Sequence, residues 1–525
     1  MSEGEFNLLD EKWILAIDDD GNMSSYSLKG IFSNAHLLRR LSGEIATQDI
    51  AVLRVLLAVL YAVYQKHNAD GEESLIESSD DAFRLWENLW NRGAFDEKLI
   101  HEYLEFYRDR FYLFHPKRPF FQAPISIGTE YDASKLNGEL SESNNKPRFF
   151  SSINGFEKNS MDYAEATRWL INLNGYDDTS SKPKGKNLPS AGAGWLGKMG
   201  LVYTEGRNLF ETLMLNFVLL SENDEPFPIG IPAWEPLEAE CGERINKSLP
   251  ASPVEILTLQ CRRIMLTRTE GRVTGYILLG GDIVSKENAF TEQMTIWYQN
   301  KDGNYVPRRH DPSRSIWRDY QSLLVKSMED NSCRLPGVVR WAKDLMDEGL
   351  IEYDSITFSV VGAVFADKDF FINDFSSDTI TVNKGLLSTM NETWNYRIAN
   401  IVSITDRMVS QIWRYASNIA AICGCDENAC KASGGKAKTR AYFDLDYPFR
   451  EWLRSINPSI DDNIDNKMVE WLDTAFNILK EDAKTILENS DERAIIGKDG
   501  ESVFSCYNMF ISKLYKIKKG DDAVE

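Results

Sequence analysis

Along this chain apolar residues recur mostly at intervals of three and four, the spacing of a helix with one buried face, and they alternate in only a few short runs. Residues 49–65, with Ile50, Leu53, Leu56, Leu57, Leu60 and Val63 in step, predict a core helix. Amphipathic helices are expected at 81–90, closing before Gly93, and at 96–112, closing before Pro116. Pro116 and Pro119 forbid helix in HPKRPFFQ (115–122), whose aromatics then pin a loop on the core. Further helices are expected at 161–173, 206–220, 313–328 and 338–348. Strands are expected at 13–17 and 24–28 around Asp18-Asp19-Asp20-Gly21-Asn22, and at 254–267 and 273–279 around Arg268-Thr269-Glu270-Gly271. A hairpin is expected about Lys301-Asp302-Gly303-Asn304, and a strand-rich run over 356–365.

After about residue 374 the pattern becomes helical throughout: 386–423 with a break, 439–456, 466–487 and 503–518. The intervening GCDENACKASGGK, INPSIDD and GKDGES read as turns, so four helices with short connections predict an antiparallel bundle. The expected fold class is α+β: a large mixed α/β domain over 1–374, then a C-terminal four-helix bundle over 375–525. A chain of 525 residues exceeds what one core usually supports, in keeping with two domains.

Charge narrows the function. With a formal net charge of -21 the chain is repelled by a polyanion except where basic residues are locally concentrated, which excludes general coating of DNA. The opening residues lack a signal-peptide pattern, and the apolar run 51–63 is broken by Arg54 and is short for a bilayer, so a cytoplasmic protein without membrane contact is expected. Seven cysteines then read as reduced thiols.

Residues 179–200, TSSKPKGKNLPSAGAGWLGKMG, hold Lys182, Lys184, Lys186, Lys198 and five glycines, with no acid. Glycine allows close backbone approach, proline forbids a continuous helix, and clustered lysines attract phosphate, which suits a loop riding on a nucleic-acid backbone. Composition alone also fits a solvated linker. Arg308, Arg309, Arg314 and Arg318 form a second basic cluster, and Lys431, Lys436, Lys438 and Arg440 a third, placed at an inter-helix loop of the bundle. Each alone is most simply a solvated surface face; three together in an acidic chain point to a phosphate path.

Candidate chemistry is sparse. Cys423, Cys425 and Cys430 lack the paired spacing and the fourth ligand of a zinc site, so no metal is expected. His310-Asp311 has the look of a metal-phosphohydrolase dyad, but Asp311 or Ser313 is expected to cap a helix N-terminus instead. There is no Walker loop, GxSxG elbow or HExxH pattern, and no cofactor or catalytic residue is expected.

Five segments in order, FNLLDEKWI (6–14), SLKGIFSNAHLLRRLSGEIATQDIAVLRVLLAVL (27–60), HPKRPFFQ (115–122), GWLGKMGLVYTEGRNLFETLMLN (194–216) and PRRHDPSRSIWR (307–318), resemble the large subunit of the type I-E CRISPR Cascade complex, the CasA family. The resemblance implies a non-enzymatic subunit that reads the protospacer-adjacent motif of double-stranded target DNA and promotes duplex opening and R-loop formation. It also implies crRNA, other Cascade subunits and a helicase-nuclease as partners. Carried over, the family's glycine-bearing loop falls on Thr179, Ser180, Ser181, Lys182 and Lys184, where hydroxyls and lysine replace glycines. Its wedge falls near 366–370, with Lys368, Asp369 and Phe370 in place of a glutamine-bearing tip, and its motif-reading lysine aligns with Gly280 or Gly281, leaving Lys286 as a substitute. The loop that contacts the guide-RNA end and the complex maps to 149–160, with Phe149, Phe150, Asn154 and Phe156. Lys436 and Lys438 extend the DNA-binding set from the third basic cluster. The paired cysteines by which some members bind zinc are missing, with Cys261 alone in that region. The rival class is a metal-dependent nuclease or phosphohydrolase using His310 and Asp311.

Overall fold

The computed structural model describes residues 4–140, 142, 153, 155–180, 191–242, 247–325, 333–460, 463–498 and 500–520. The chain divides into two compact units. The first comprises Met1–Arg314, Ser327–Ile351 and Thr357–Thr379, and the second Ser315–Lys326, Glu352–Ile356 and Ile380–Glu525.

The first unit is built around the helix Ala46–Tyr64, in which every residue from Ile50 onward is buried. A helix with no polar stripe must be covered on all sides, and this one is. It extends beyond the apolar run read from sequence, and at 19 residues it is long and apolar enough to cross a membrane, yet 89% of its most apolar window is buried within the protein. Its one cation is neutralised in place: Arg54 makes two 2.8 Å hydrogen bonds to the two carboxylate oxygens of Glu292. The Trp195 indole donates to the same carboxylate at 2.8 Å, which further satisfies the buried pair.

The strands of this unit form small antiparallel sheets. Ile14–Asp18 lies between Met23–Tyr26 and Leu38–Leu41, and Arg272–Gly280 lies between Thr129–Asp132 and Arg262–Thr269. Glu270 and Gly271, at φ 52° and 76°, make the expected tight turn between the latter pair. Trp297–Gln299 pairs with Tyr305–Pro307 across the expected hairpin and with Cys333–Arg334. The run expected as a strand from 254 opens instead as a short helix, Pro253–Leu257, because Pro253 sits at the first helical position with its preset φ; the strand begins at Arg262. The helix expected over 206–220 is confined to Leu209–Asn216, started by the Asn208 side chain accepting from the Glu211 amide. The sheet that carries the candidate site is Leu201–Glu205, Ser355–Phe365 and Ile372–Asn383, with Ser355–Phe365 in the middle.

Among the described residues the second unit contains four long helices, Glu392–Ile422, Glu427–Ser455, Ile464–Glu488 and Val503–Lys519, and Glu392–Ile422 packs on each of the other three. The expected helix over 313–328 is a 3-10 turn, Ile316–Asp319, running into Tyr320–Leu324, and it carries Trp317 onto Phe449 at 4.2 Å between ring centroids. Trp452 and Trp471 complete this aromatic cluster, and the Trp471 indole donates to Thr405 Oγ1 at 2.9 Å.

The second unit also differs from expectation in its first connection. The stretch read as an inter-helix turn, GCDENACKASGGK, turns only at Gly424, which has φ 84°. Asp426 then caps a helix that runs on from Glu427 through Gly434 and Gly435 to Ser455. Gly434 is there for space: a Cβ would stand 2.4 Å from Ser417 Oγ and 2.8 Å from the Trp413 carbonyl on the neighbouring helix. Close helix approach, with Ser417 Oγ donating to the Cys430 carbonyl at 3.0 Å, offsets the low helix propensity of the glycine pair.

Candidate nucleic-acid interface

The helix Tyr163–Tyr176, capped by Asp162, delivers the chain to Asp177-Asp178-Thr179-Ser180. Both aspartates are buried, which is costly unless each carboxylate is paired. Asp177 is bonded by Arg262 Nε, and Asp178 Oδ2 accepts from Lys135 Nζ at 2.6 Å. Arg262 also donates from Nη2 to the carbonyls of Asp178, at 3.3 Å, and Gly192, at 2.6 Å. The Gly194 amide returns to the Asp177 carbonyl at 2.9 Å. A Cβ on Gly194 would lie 2.3 Å from the Gly175 carbonyl oxygen, so this closure requires glycine. Arg262 thus ties the chain on both sides of residues 181–190. Ser181, Lys182, Lys184 and Lys186 lie outside the described residues.

The second element is the tip of the hairpin formed by Ser355–Phe365 and Ile372–Asn383. The Ala366 amide closes it on the Phe371 carbonyl at 2.9 Å. Within it Lys368 and Asp369 have φ 57° and 58°, the left-handed region that non-glycine residues seldom occupy. Two ties hold that conformation. Arg309 makes a two-pronged ion pair with Asp369, 2.7 and 2.9 Å, and its guanidinium lies 4.9 Å from the Phe365 ring centroid. Thr179 donates from its amide to the Asp369 carbonyl at 2.9 Å and from its hydroxyl to the Lys368 carbonyl at 2.8 Å. Lys368 is exposed, and Phe370 is 49% exposed.

Two segments far apart in sequence, 179–180 and 366–370, are therefore brought together. The Thr179 hydroxyl, expected to face a ligand, is directed at the tip, and the Asp369 carboxylate is occupied by Arg309. Lys286 is exposed after the strand Arg272–Gly280. Lys198 lies 5.5 Å from the Trp195 ring, and burial, together with the charges of Arg262 and Lys286, holds its ammonium below the usual lysine range. Phe149, Phe150 and Asn154 lie outside the described residues, and Phe156 sits in the 3-10 turn Gly155–Lys158.

The other basic clusters are partly spent on acids. Arg309 binds Asp369, and Arg318 binds Asp406 at 3.1 Å while lying 3.5 Å from the Tyr442 ring. Lys431 pairs with Glu427 at 2.6 Å and Arg440 with Asp444 at 2.5 Å along one helix, leaving Lys436 and Lys438 on exposed turns of it. His310 Nε2 lies 3.1 Å from the Leu201 carbonyl, and its ring covers Gly200 so closely that a Cβ there would meet it at 2.3 Å. Asp311 accepts from the Ser313 amide and hydroxyl at 2.9 and 2.7 Å, so it caps a turn. Among the described residues no group of three or more His, Cys, Asp or Glu side chains is arranged to hold a metal. Sequence reading missed Arg262 and Lys135 as anchors, and it placed Arg309 in a surface cluster although it anchors the tip.

Comparison with known proteins agrees with this architecture. The family described as CRISPR-associated protein Cse1 matches residues 7–481. A CRISPR-associated protein CasA/Cse1 of Thermus thermophilus is 28% identical over 364 residues, 69% of this chain and 68% of that one. The crystal structure of Thermobifida fusca Cse1 superposes with a TM-score of 0.83 at 25% identity, over 98% of each chain. A chain of a CRISPR RNA-guided surveillance complex shares the fold with a TM-score of 0.68 at 17% identity, over 97% of this chain and 99% of that one. The protein therefore belongs to the CRISPR-associated Cse1 (CasA) family, the large subunits of the type I-E Cascade complex.

Proposed function

We propose that this Cascade subunit recognises the protospacer-adjacent motif in double-stranded DNA, and that Thr179-Ser180 and the Lys368-Asp369-Phe370 tip form the described part of its reading surface. The observation that carries the reading is the pair of hydrogen bonds from Thr179 to the Lys368 and Asp369 carbonyls, which makes one surface of two loops. An exposed lysine beside a half-exposed aromatic ring suits a minor-groove reader, with charge for phosphate and an apolar wedge for a base step. The minor groove offers a degenerate pattern, so the reading is tolerant of motif variants. Ser181, Lys182, Lys184 and Lys286 extend the surface in this proposal, and Lys436 and Lys438 add sequence-independent phosphate contacts.

The rest of the proposal follows the same reading. The chain acts in the cytoplasm as a non-catalytic subunit, with crRNA and other Cascade subunits as neighbours. Phe149, Phe150, Asn154 and Phe156 contact the complex. Residues 375–525, read as a four-helix bundle, follow 1–374 as the second domain in this proposal. Motif engagement starts duplex opening and R-loop formation and precedes recruitment of the helicase-nuclease.

The test is duplex binding by the crRNA-guided complex, with and without this chain, over targets differing only in the motif. Motif-dependent binding that requires the chain is expected, and motif-blind binding would refute the reading. In the same complex Phe370→Ala is expected to spare initial binding and to slow strand opening about tenfold. Cleavage of a labelled duplex by the isolated chain in Mn²⁺, lost in His310→Ala, would favour the nuclease reading instead.

A further inference from the structure

We propose that Arg309 is a positioning residue that latches the hairpin tip onto Thr179, so that motif contact on one side and strand insertion by Phe370 on the other operate as one device. The inference rests on the reading of the tip as a wedge.

Lys368 and Asp369 are consecutive residues in the left-handed region, and neither is a glycine. Such a conformation persists only where the surroundings over-determine it. Here they do so from two directions. Thr179 takes two successive carbonyls of the tip with its amide and hydroxyl, and Arg309 takes both carboxylate oxygens of Asp369. The second tie is the more demanding, because a planar fork on a carboxylate fixes orientation as well as distance, which a lysine ammonium would not.

Arg309 can act as an anchor because its own backbone is pinned. The Arg308 amide donates to the Ile296 carbonyl at 2.9 Å, and the Arg308 carbonyl accepts from the Gly200 amide at 2.8 Å. On its other side His310 meets the Leu201 carbonyl, and the Phe365 ring faces the guanidinium. The latch therefore refers the tip to the strand Leu201–Glu205, which belongs to the same sheet as the hairpin that carries the tip. Asp369 occupies the charge of Arg309, and Asp367, Lys368 and Phe370 are the exposed groups of the tip. Releasing the latch lets Lys368 and Asp369 relax to ordinary φ, which re-aims the following residue, Phe370.

The experiment uses the assembled guided complex and a target carrying 2-aminopurine at the first base pairs beside the motif. Arg309→Gln is expected to slow the fluorescence rise of opening about tenfold while changing affinity for the motif-bearing duplex less than about twofold. Combined with Phe370→Ala it is expected to be no slower than Phe370→Ala alone, since both act through one ring. The charge-swapped pair Arg309→Asp with Asp369→Arg is expected to recover part of the lost rate. Opening at the unaltered rate in Arg309→Gln, or a loss that adds to that of Phe370→Ala, would overturn the latch. Hydrogen exchange of the tip amides in the full chain separates this from the wedge reading. Exchange at 366–371 is expected to quicken about tenfold or more in Arg309→Gln and to stay unchanged in Phe370→Ala. Unchanged exchange in Arg309→Gln overturns the latch whatever the opening kinetics; quickened exchange with normal opening in Phe370→Ala keeps the tether and removes its role in opening.

Discussion

The hairpin tip at 366–370 and the helical segment at 431–440 both present lysines in a strongly acidic chain, and they do so in opposite physical ways. At the tip one lysine springs from a left-handed backbone held by Arg309 and Thr179, so the point from which it projects is fixed at a conformational cost met by the surrounding bonds. On the helix Lys436 and Lys438 stand on ordinary exposed turns, beside residues whose charges are balanced four positions away, as in Lys431 with Glu427 and Arg440 with Asp444. A charge that is held can discriminate between ligands. A charge projected from a regular, exposed helix face attracts phosphate without setting register.

Four measurements test this contrast. The largest effect is expected from Gly434→Ala, which pushes a Cβ into Ser417 and Trp413 and destabilises the second unit by about 1–3 kcal/mol in urea unfolding, with motif-dependent binding unchanged. A neutral or stabilising result would mean that the two helices have room to spare at that contact. Next, Lys368→Ala is expected to weaken motif-dependent binding several-fold and to lower the salt slope by about one, seen by duplex titration over a range of KCl. An unaltered slope would remove Lys368 from the phosphate contacts. Substituting Lys436 and Lys438 together by alanine is expected to cost about twofold, equally for duplexes with and without the motif. A loss confined to motif-bearing duplex would erase the distinction between the tip and the helix face.

The fourth measurement concerns a pH dependence in the helical region. Burial first, and then the Asp444 carboxylate beside it, push the Asp482 carboxyl up to about 7. The unfolded chain ionises this group at about 3.9, so between those values the folded state holds more protons. Stability from this group is therefore full below the unfolded value and is lost as pH rises toward 7. Melting curves should show Asp482→Asn gaining on the parent protein from pH 5 to pH 8, and parallel curves would refute the assignment.

Periodicity read the long elements well where one face is apolar, as in Tyr163–Tyr176, Ile464–Glu488 and Val503–Lys519. It failed at Gly434-Gly435, where two glycines looked like a turn; Gly434 in fact admits a neighbouring helix, while Gly435 faces open space. Local pattern carries no record of what a residue will touch across a fold. The candidate site shows this more sharply. Segments 179–180 and 366–370 were each marked as candidates, but their junction spans 189 residues of sequence, and no spacing rule reaches that far. Arg309 was visible only as one basic residue among four, because its partner Asp369 lies 60 positions away. The ties on both sides of residues 181–190 depend likewise on Arg262, which sits 84 residues beyond Asp178.

The buried pair of Arg54 with Glu292 also sets a schedule for synthesis. Arg54 leaves the ribosome 238 residues ahead of its carboxylate, on a helix apolar on every side. At about 5–20 residues per second the nascent chain carries that unmatched cation for roughly 10–50 s before its carboxylate exists, although the helices that cover Ala46–Tyr64 are made in the interval. The helix that organises the first unit is thus completed late, and a chain terminated between the two residues would bury Arg54 without its carboxylate, which is costly.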